Sequence, residues 1–158
     1  MRRDTKIVLS FVSAIPVLIL SLSVFCSWAV ANGASPRWRL LFRPLCHGFP
    51  ERCLTLFDVP MPICARCTGI YAGMLAGVAA ALLFFAMRWV SFLRERIMKR
   101  VVLLSVLPLA LDGLSQLAGL RESTNPLRIA TGLIAGLAFG LWILSAIEFR
   151  DEPAFTTS

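Results

Sequence analysis

Acidic side chains are scarce and histidine nearly absent. Nine Asp and Glu residues stand against 16 Lys and Arg in a chain of 158, and the one histidine is His47. With 16% charged residues, 58% hydrophobic ones and a mean hydropathy of +0.77, the chain has too little polar side chain to cover a water-soluble domain. No GxSxG, HExxH or Walker-type loop occurs, so hydrolase and nucleotide chemistry have no support. A formal charge of +7 would suggest nucleic acid in a soluble protein. Here the basic residues lie between long apolar runs, where they set topology and meet anionic lipid, and no nucleic-acid partner is expected.

What the sequence has in abundance is hydrocarbon. Four apolar stretches, at about 7–31, 68–90, 101–120 and 127–147, each approach the roughly 20 residues a helix needs to cross about 30 Å of lipid. The expected fold is an all-α membrane protein with four transmembrane helices. It forms a single membrane domain over 1–158, with a cysteine-rich loop at 32–67 between helices 1 and 2. The first stretch follows Arg2, Arg3 and Lys6 and contains Ala29-Val30-Ala31, as a secretory signal would. Its apolar run of about 25 residues far exceeds the ~7–15 of a signal core, so it reads as an uncleaved span. Within it Pro16 removes a backbone hydrogen bond and opposes the carbonyl of Val12.

The segment 88–100 carries Arg88, Arg94, Arg96, Lys99 and Arg100 against Glu95, and short basic loops stay in the cytoplasm. Both termini are then cytoplasmic and the protein is multi-pass in the cell (inner) membrane. The 32–67 loop, which has Arg37, Arg39, Arg43, Arg52 and Arg66, shares the outer side with the 121–126 turn, so the basic bias between sides is narrow. "TGIYAGMLAG" at 68–77 and "TGLIAGLAFG" at 131–140 match at Thr68/Thr131, Gly69/Gly132, Ala72/Ala135, Gly73/Gly136 and Gly77/Gly140. Small residues at every fourth position let two backbones approach closely in lipid. Helices 2 and 4 are therefore expected to be direct neighbours. Helices 1–2 and 3–4 would form two similar hairpins about an axis along the membrane normal.

"PRWRLLFRPL", residues 36–45, alternates basic residues with Trp38, Leu40, Leu41 and Phe42, which suits a segment anchored among headgroups. Pro44, Pro50, Pro60 and Pro62 make an irregular connection. Cys26 lies within span 1 as a small apolar packing residue, while Cys46, Cys53, Cys64 and Cys67 share the loop with His47. One reading is a metal site. The x₂ spacing of Cys64 and Cys67 lets two thiolates reach one ion, with Cys46 and either His47 or Cys53 completing a tetrahedron, and zinc suits that soft set. A second reading is redox. Cys64 and Cys67 at a helix N-terminus beside Arg66 should have lowered thiol pKa values. The arrangement resembles quinone-coupled disulfide-forming membrane oxidoreductases, although those place a second cysteine pair in the other outer loop, where 121–126 has none. A third reading is a non-catalytic scaffold with structural disulfides.

Asp112 lies mid-span in "LPLALDGLSQLAGL", where a carboxylate costs at least ~2.5 kcal/mol unless paired, neutral or facing water. Gln116 lies one turn on and shares its face, and Pro108 frees the carbonyl of Leu104. In "RESTNPLR", Asn125 is placed to cap a helix whose first residue is Pro126. Arg121 and Arg128 stand at the outer end of the 3–4 hairpin. If helices 2 and 4 pack closely, Arg128 comes near Arg66 and the thiols, and such a gathering needs an anion: Asp112, Glu122, thiolates or a lipid phosphate.

"LCHGFPERC", "MPICARCTGIYAG", "LDGLSQLAGLRESTNPLR" and "TGLIAG" together resemble a family of small prokaryotic integral membrane proteins of unknown function, over roughly residues 43–140. The resemblance implies a pattern at Cys46, His47, Pro62, Cys64, Arg66, Gly69, Tyr71, Gly73, Asp112, Gly113, Gln116, Asn125, Arg128 and Gly132. That pattern does not require cysteine at Cys53 and admits Asp at Cys67, which fits a metal better than an obligatory disulfide. The expected site has Cys46, His47, Cys64 and Cys67 as zinc ligands. Asp112, Arg66 and Arg128 are its reactive or anion-binding groups, and Cys53, Gln116, Arg121 and Asn125 are further polar members. An anionic lipid-like ligand is the expected partner, or a quinone on the redox reading.

Overall fold

Four long α-helices run through the described residues of the computed structural model, which are 3–86, 95–119 and 123–149. They are α1 (Arg3–Ala31), α2 (Ala65–Ala86), α3 (Glu95–Leu117) and α4 (Asn125–Phe149). Three contain stretches long and apolar enough to cross a membrane: Ser10–Ala31, Ala65–Leu83 and Asn125–Ile143. Helix α3 opens on Glu95, Arg96, Lys99 and Arg100 and carries Asp112, and this polar load dilutes its apolar run. Most of the basic 88–100 segment and the expected site residue Arg121 lie outside the described residues.

The expectation of an all-α chain needs one correction. Residues 53–64 form an antiparallel hairpin of β1 (Cys53–Leu56) and β2 (Val59–Cys64). Leu56 pairs with Val59 across a two-residue loop in which Phe57 and Asp58 have φ of 56° and 58°. Positive φ at both central residues is the mirror-image turn whose twist matches a hairpin. Pro60 and Pro62 are tolerated in β2 because a two-stranded sheet leaves each strand one free edge. Ile63 is fully buried and Met61 nearly so, in one apolar cluster with Ile19 and Cys26 of α1, Phe42 and Cys46. Cys26 is thus a core residue. The hairpin is clamped against the end of α1 by hydrophobic burial, and the loop expected to be irregular becomes a fixed platform.

The anchoring segment is a 3₁₀ helix, Pro36–Phe42, started by Ser35, whose Oγ accepts from the Arg37 N–H at 3.4 Å. Phe42 turns into the core, while Trp38, Leu40 and Leu41 face outward.

Helices α2 and α4 lie side by side and parallel, as the glycine stripe required. A Cβ on Gly69 would sit 2.5 Å from the Ile129 carbonyl oxygen, and one on Gly140 would sit 2.5 Å from that of Met74. Gly73 faces Leu133 as Gly136 faces Ile70, and Gly77 meets Gly140. The two copies of the motif therefore contact each other reciprocally, about a pseudo-two-fold axis running along the helix pair. This contact sets the N-terminal ends of α2 and α4 level.

Candidate metal centre

Three elements bring the thiols together. Cys46 follows the 3₁₀ segment, Cys64 ends β2, and Cys67 lies in the first turn of α2. Their Sγ atoms lie within 4.8 Å of one another. Sulfurs on a tetrahedral zinc ion with Zn–S near 2.3 Å stand about 3.8 Å apart, so the group needs little contraction to hold one. Gly48 permits the approach: its φ is +58°, and a Cβ there would meet the Pro62 carbonyl oxygen at 2.8 Å. Arg39 ties the same loop down, donating from Nη2 to the carbonyls of Gly48 at 3.4 Å and Met61 at 3.3 Å.

All five cysteines are free thiols. Donation from the thiols of Cys64 and Cys67 holds Cys46 well below the usual thiol range. The Gly48 N–H and the Cys64 N–H, 3.2 Å from Cys46 Sγ, act in the same direction. Cys53, 3% exposed, is the opposite case. Burial, with the nearby Cys64 and Cys46, pushes its thiol up to about 11, and its Sγ donates to the Phe49 carbonyl at 3.1 Å. Cys53 thus stands apart from the three-sulfur group although it pairs with Cys64 across the hairpin. His47 also stands outside that group. Its exposed ring stacks on Phe49, with centroids 6.1 Å apart, and no imidazole nitrogen joins the sulfurs.

A second set of side chains forms one chain of contacts beside the sulfurs. Arg66 on α2 forms an ion pair with Asp112 Oδ2 on α3. Gln116 Nε2 donates to the same oxygen at 3.0 Å and to the Asp112 carbonyl at 2.8 Å. Gln116 Oε1 in turn accepts from Arg128 Nη2 at 3.1 Å, and Arg128 Nη1 donates to Asn125 Oδ1 at 3.1 Å. Asn125 Nδ2 closes the run on the Cys53 carbonyl at 3.1 Å. Expected to be a helix cap, Asn125 lies within α4 and spends its side chain tying α4 to the hairpin. Asp112 is 6% exposed and shares its buried negative charge with Arg66. Arg128 is 7% exposed, and both its hydrogen-bond partners among the described residues are neutral amide oxygens.

A cavity of about 420 Å³ joins the two sets, lined by Cys46, Cys64, Cys67, Arg66, Gln116 and Arg128 among others. Arg66 Nε is buried with no hydrogen-bond partner among the described residues. The cavity therefore offers soft anionic donors on one wall and guanidinium groups on the other. Sequence reasoning had placed Arg39 among the membrane anchors. Only the fold of the Cys46 loop onto β2 turns it inward, and no local signal marks that.

A family described as "Predicted membrane protein (DUF2085)" matches residues 46–142, a region that opens on Cys46 and contains every side chain of that run of contacts. An uncharacterized protein of Methanocaldococcus jannaschii, MJ1492, is 35% identical over 139 residues, covering 82% of this chain and 86% of that protein. An uncharacterized protein of Methanothermobacter thermautotrophicus is 40% identical over 106 residues, covering 67% of this chain and 88% of its own length. No solved structure matches.

Proposed function

The chain belongs to this family of predicted membrane proteins, and on that premise we propose that it is a four-span membrane protein whose outer rim holds a metal ion of the zinc type and binds an anionic lipid-like ligand beside it. In this reading α3 is the fourth span, its carboxylate neutralised by Arg66, and both termini are cytoplasmic. Cys46, Cys64 and Cys67 hold the ion and leave its fourth position to the cavity. The convergence of those three sulfurs carries the reading. A bound ion would polarise an oxygen of the ligand as a Lewis acid. Arg128 and the free Nε of Arg66 hold the anion's charge, and Asp112 fixes Arg66 so that it faces the cavity. His47 serves the rim as a stacking and polar wall. Elemental analysis of the purified protein tests this: one zinc-type ion per chain, lost in Cys46→Ser and retained in Cys53→Ser. Metal-free wild-type protein, or equal loss in both variants, overturns it.

The ready ionisation of Cys46 supports a second reading, since a thiolate held by the Cys64 and Cys67 thiols beside a CxxC pair is a nucleophile for disulfide exchange. There Cys64 and Cys67 would give two electrons and two protons to a quinone, forming a disulfide and a quinol. Thiol trapping in cells separates the readings: a Cys67→Ser-sensitive shift that follows quinone supply belongs to the redox reading alone.

A further inference from the structure

Beside the thiol cavity lies a second, half-open one of about 500 Å³, between the C-terminal half of α1 and the 3₁₀ segment. Leu18, Leu22, Ala29, Trp38, Leu41 and Phe42 contribute to its walls, and among the described residues no charged side chain lines it. Leu45 lines both cavities. We propose that the two cavities are one amphiphile site: the apolar one takes a hydrocarbon chain of an anionic membrane phospholipid, and the phosphate headgroup lies against Arg128 and Arg66 in the other.

Position gives the first argument. The α1 wall falls within Ser10–Ala31, a stretch apolar enough to span, so the medium beside it is lipid and a cavity there fills with hydrocarbon. Its volume falls in the range of sites that enclose small ligands. Charge gives the second. Arg128 is buried, and among the described residues its hydrogen-bond partners are neutral amide oxygens, so an arriving anion meets a guanidinium to which no carboxylate is hydrogen-bonded there. The third is the shared wall at Leu45, which puts apolar and cationic halves next to each other as a phospholipid has its chain and headgroup. Exposed Arg37 and Arg43, on and just after the 3₁₀ segment, face the headgroup layer and draw such lipids to the entrance. This inference rests on the anion-binding part of the proposed function and adds the tail.

Native mass spectrometry of the full-length protein, released from detergent, tests it with three probes: dioctanoyl phosphatidic acid, dioctanoylglycerol and inorganic phosphate. Phosphatidic acid is expected to bind at least about tenfold more tightly than either fragment, because each half raises the effective concentration of the other. Ala29→Trp, which fills the apolar cavity, should reduce phosphatidic acid to the affinity of phosphate while leaving phosphate binding unchanged. Leu41→Asp, which puts a carboxylate on the wall of the apolar cavity while leaving the packed core untouched, should do the same. Equal binding of phosphatidic acid and dioctanoylglycerol, phosphate as tight as phosphatidic acid, or wild-type behaviour of both variants overturns the inference. Failure of the metal reading is read separately from metal content. If neither phosphate nor phosphatidic acid binds, the anion reading falls and takes the inference with it.

Discussion

Replacing Gly69 by alanine probes the approach of α2 to α4 at the turn that carries the site. In a helix that packs against nothing the change favours folding by about 1 kcal/mol, because alanine loses less backbone freedom. Here the added methyl would meet the Ile129 carbonyl oxygen at 2.5 Å and the Leu133 nitrogen at 3.1 Å, both backbone atoms that no rotamer change can move. The helices must part by about an ångström to restore ordinary contact. Gly73 and Gly77 on the same stripe face backbone as tightly, so contact is lost along the whole pair. Overpacking costs about 1–3 kcal/mol at an ordinary core site, and a rigid backbone neighbour places this one at the upper end; net of propensity, about 2 kcal/mol of destabilisation is expected. Gly113→Ala is the control, since its Cβ would meet only Arg66 Nη1 at 3.6 Å, an ordinary contact, and it should be neutral or slightly stabilising. Thermal unfolding of both variants in one detergent reads the difference. If Gly69→Ala is as stable as Gly113→Ala, the helices are not held by backbone approach and the placing of Arg66 and Cys67 beside Arg128 needs another cause.

Asp112→Asn leaves the partly buried Arg66 without its anion and should destabilise by about 3 kcal/mol, with part of the loss recovered in the Arg66→Gln double variant. Additive single and double variants in a thermodynamic cycle would show that the pair contributes no coupling. Burial raises the Cys53 thiol, so between the ordinary value of 9.0 and about 11 the unfolded chain ionises at this position while the folded one does not. Stability of metal-free protein should therefore fall with rising pH in that window, and less steeply in Cys53→Ala. Identical slopes for the two proteins would remove Cys53 as the cause.

The long-range geometry was legible where periodicity encodes it. Paired glycines at fourfold spacing placed α2 against α4, and Asp112 and Gln116, expected on one helical face, do meet there in a hydrogen bond. The hairpin was hidden because its turn residues, Phe57 and Asp58, include no glycine or asparagine and its second strand holds two prolines. Tertiary burial of Met61 and Ile63 against α1 decides that structure. The three-sulfur group followed from the CxxC pair and Cys46, but His47 lies one residue beyond Cys46 and points elsewhere. Asn125 read correctly as a residue at a helix start. Its partner, the Cys53 carbonyl, belongs to a strand that local sequence did not announce.

The reciprocal fit of the two glycine motifs bears on stoichiometry. In many membrane assemblies such a stripe recruits a second subunit, whereas here each half of the stripe satisfies the other within a single polypeptide. The self-complementary surface is thereby used up, and any larger complex must form through other faces. The same internal pairing holds Arg66 and Cys67 of one helix and Arg128 of the other at one end of the pair, around a common cavity.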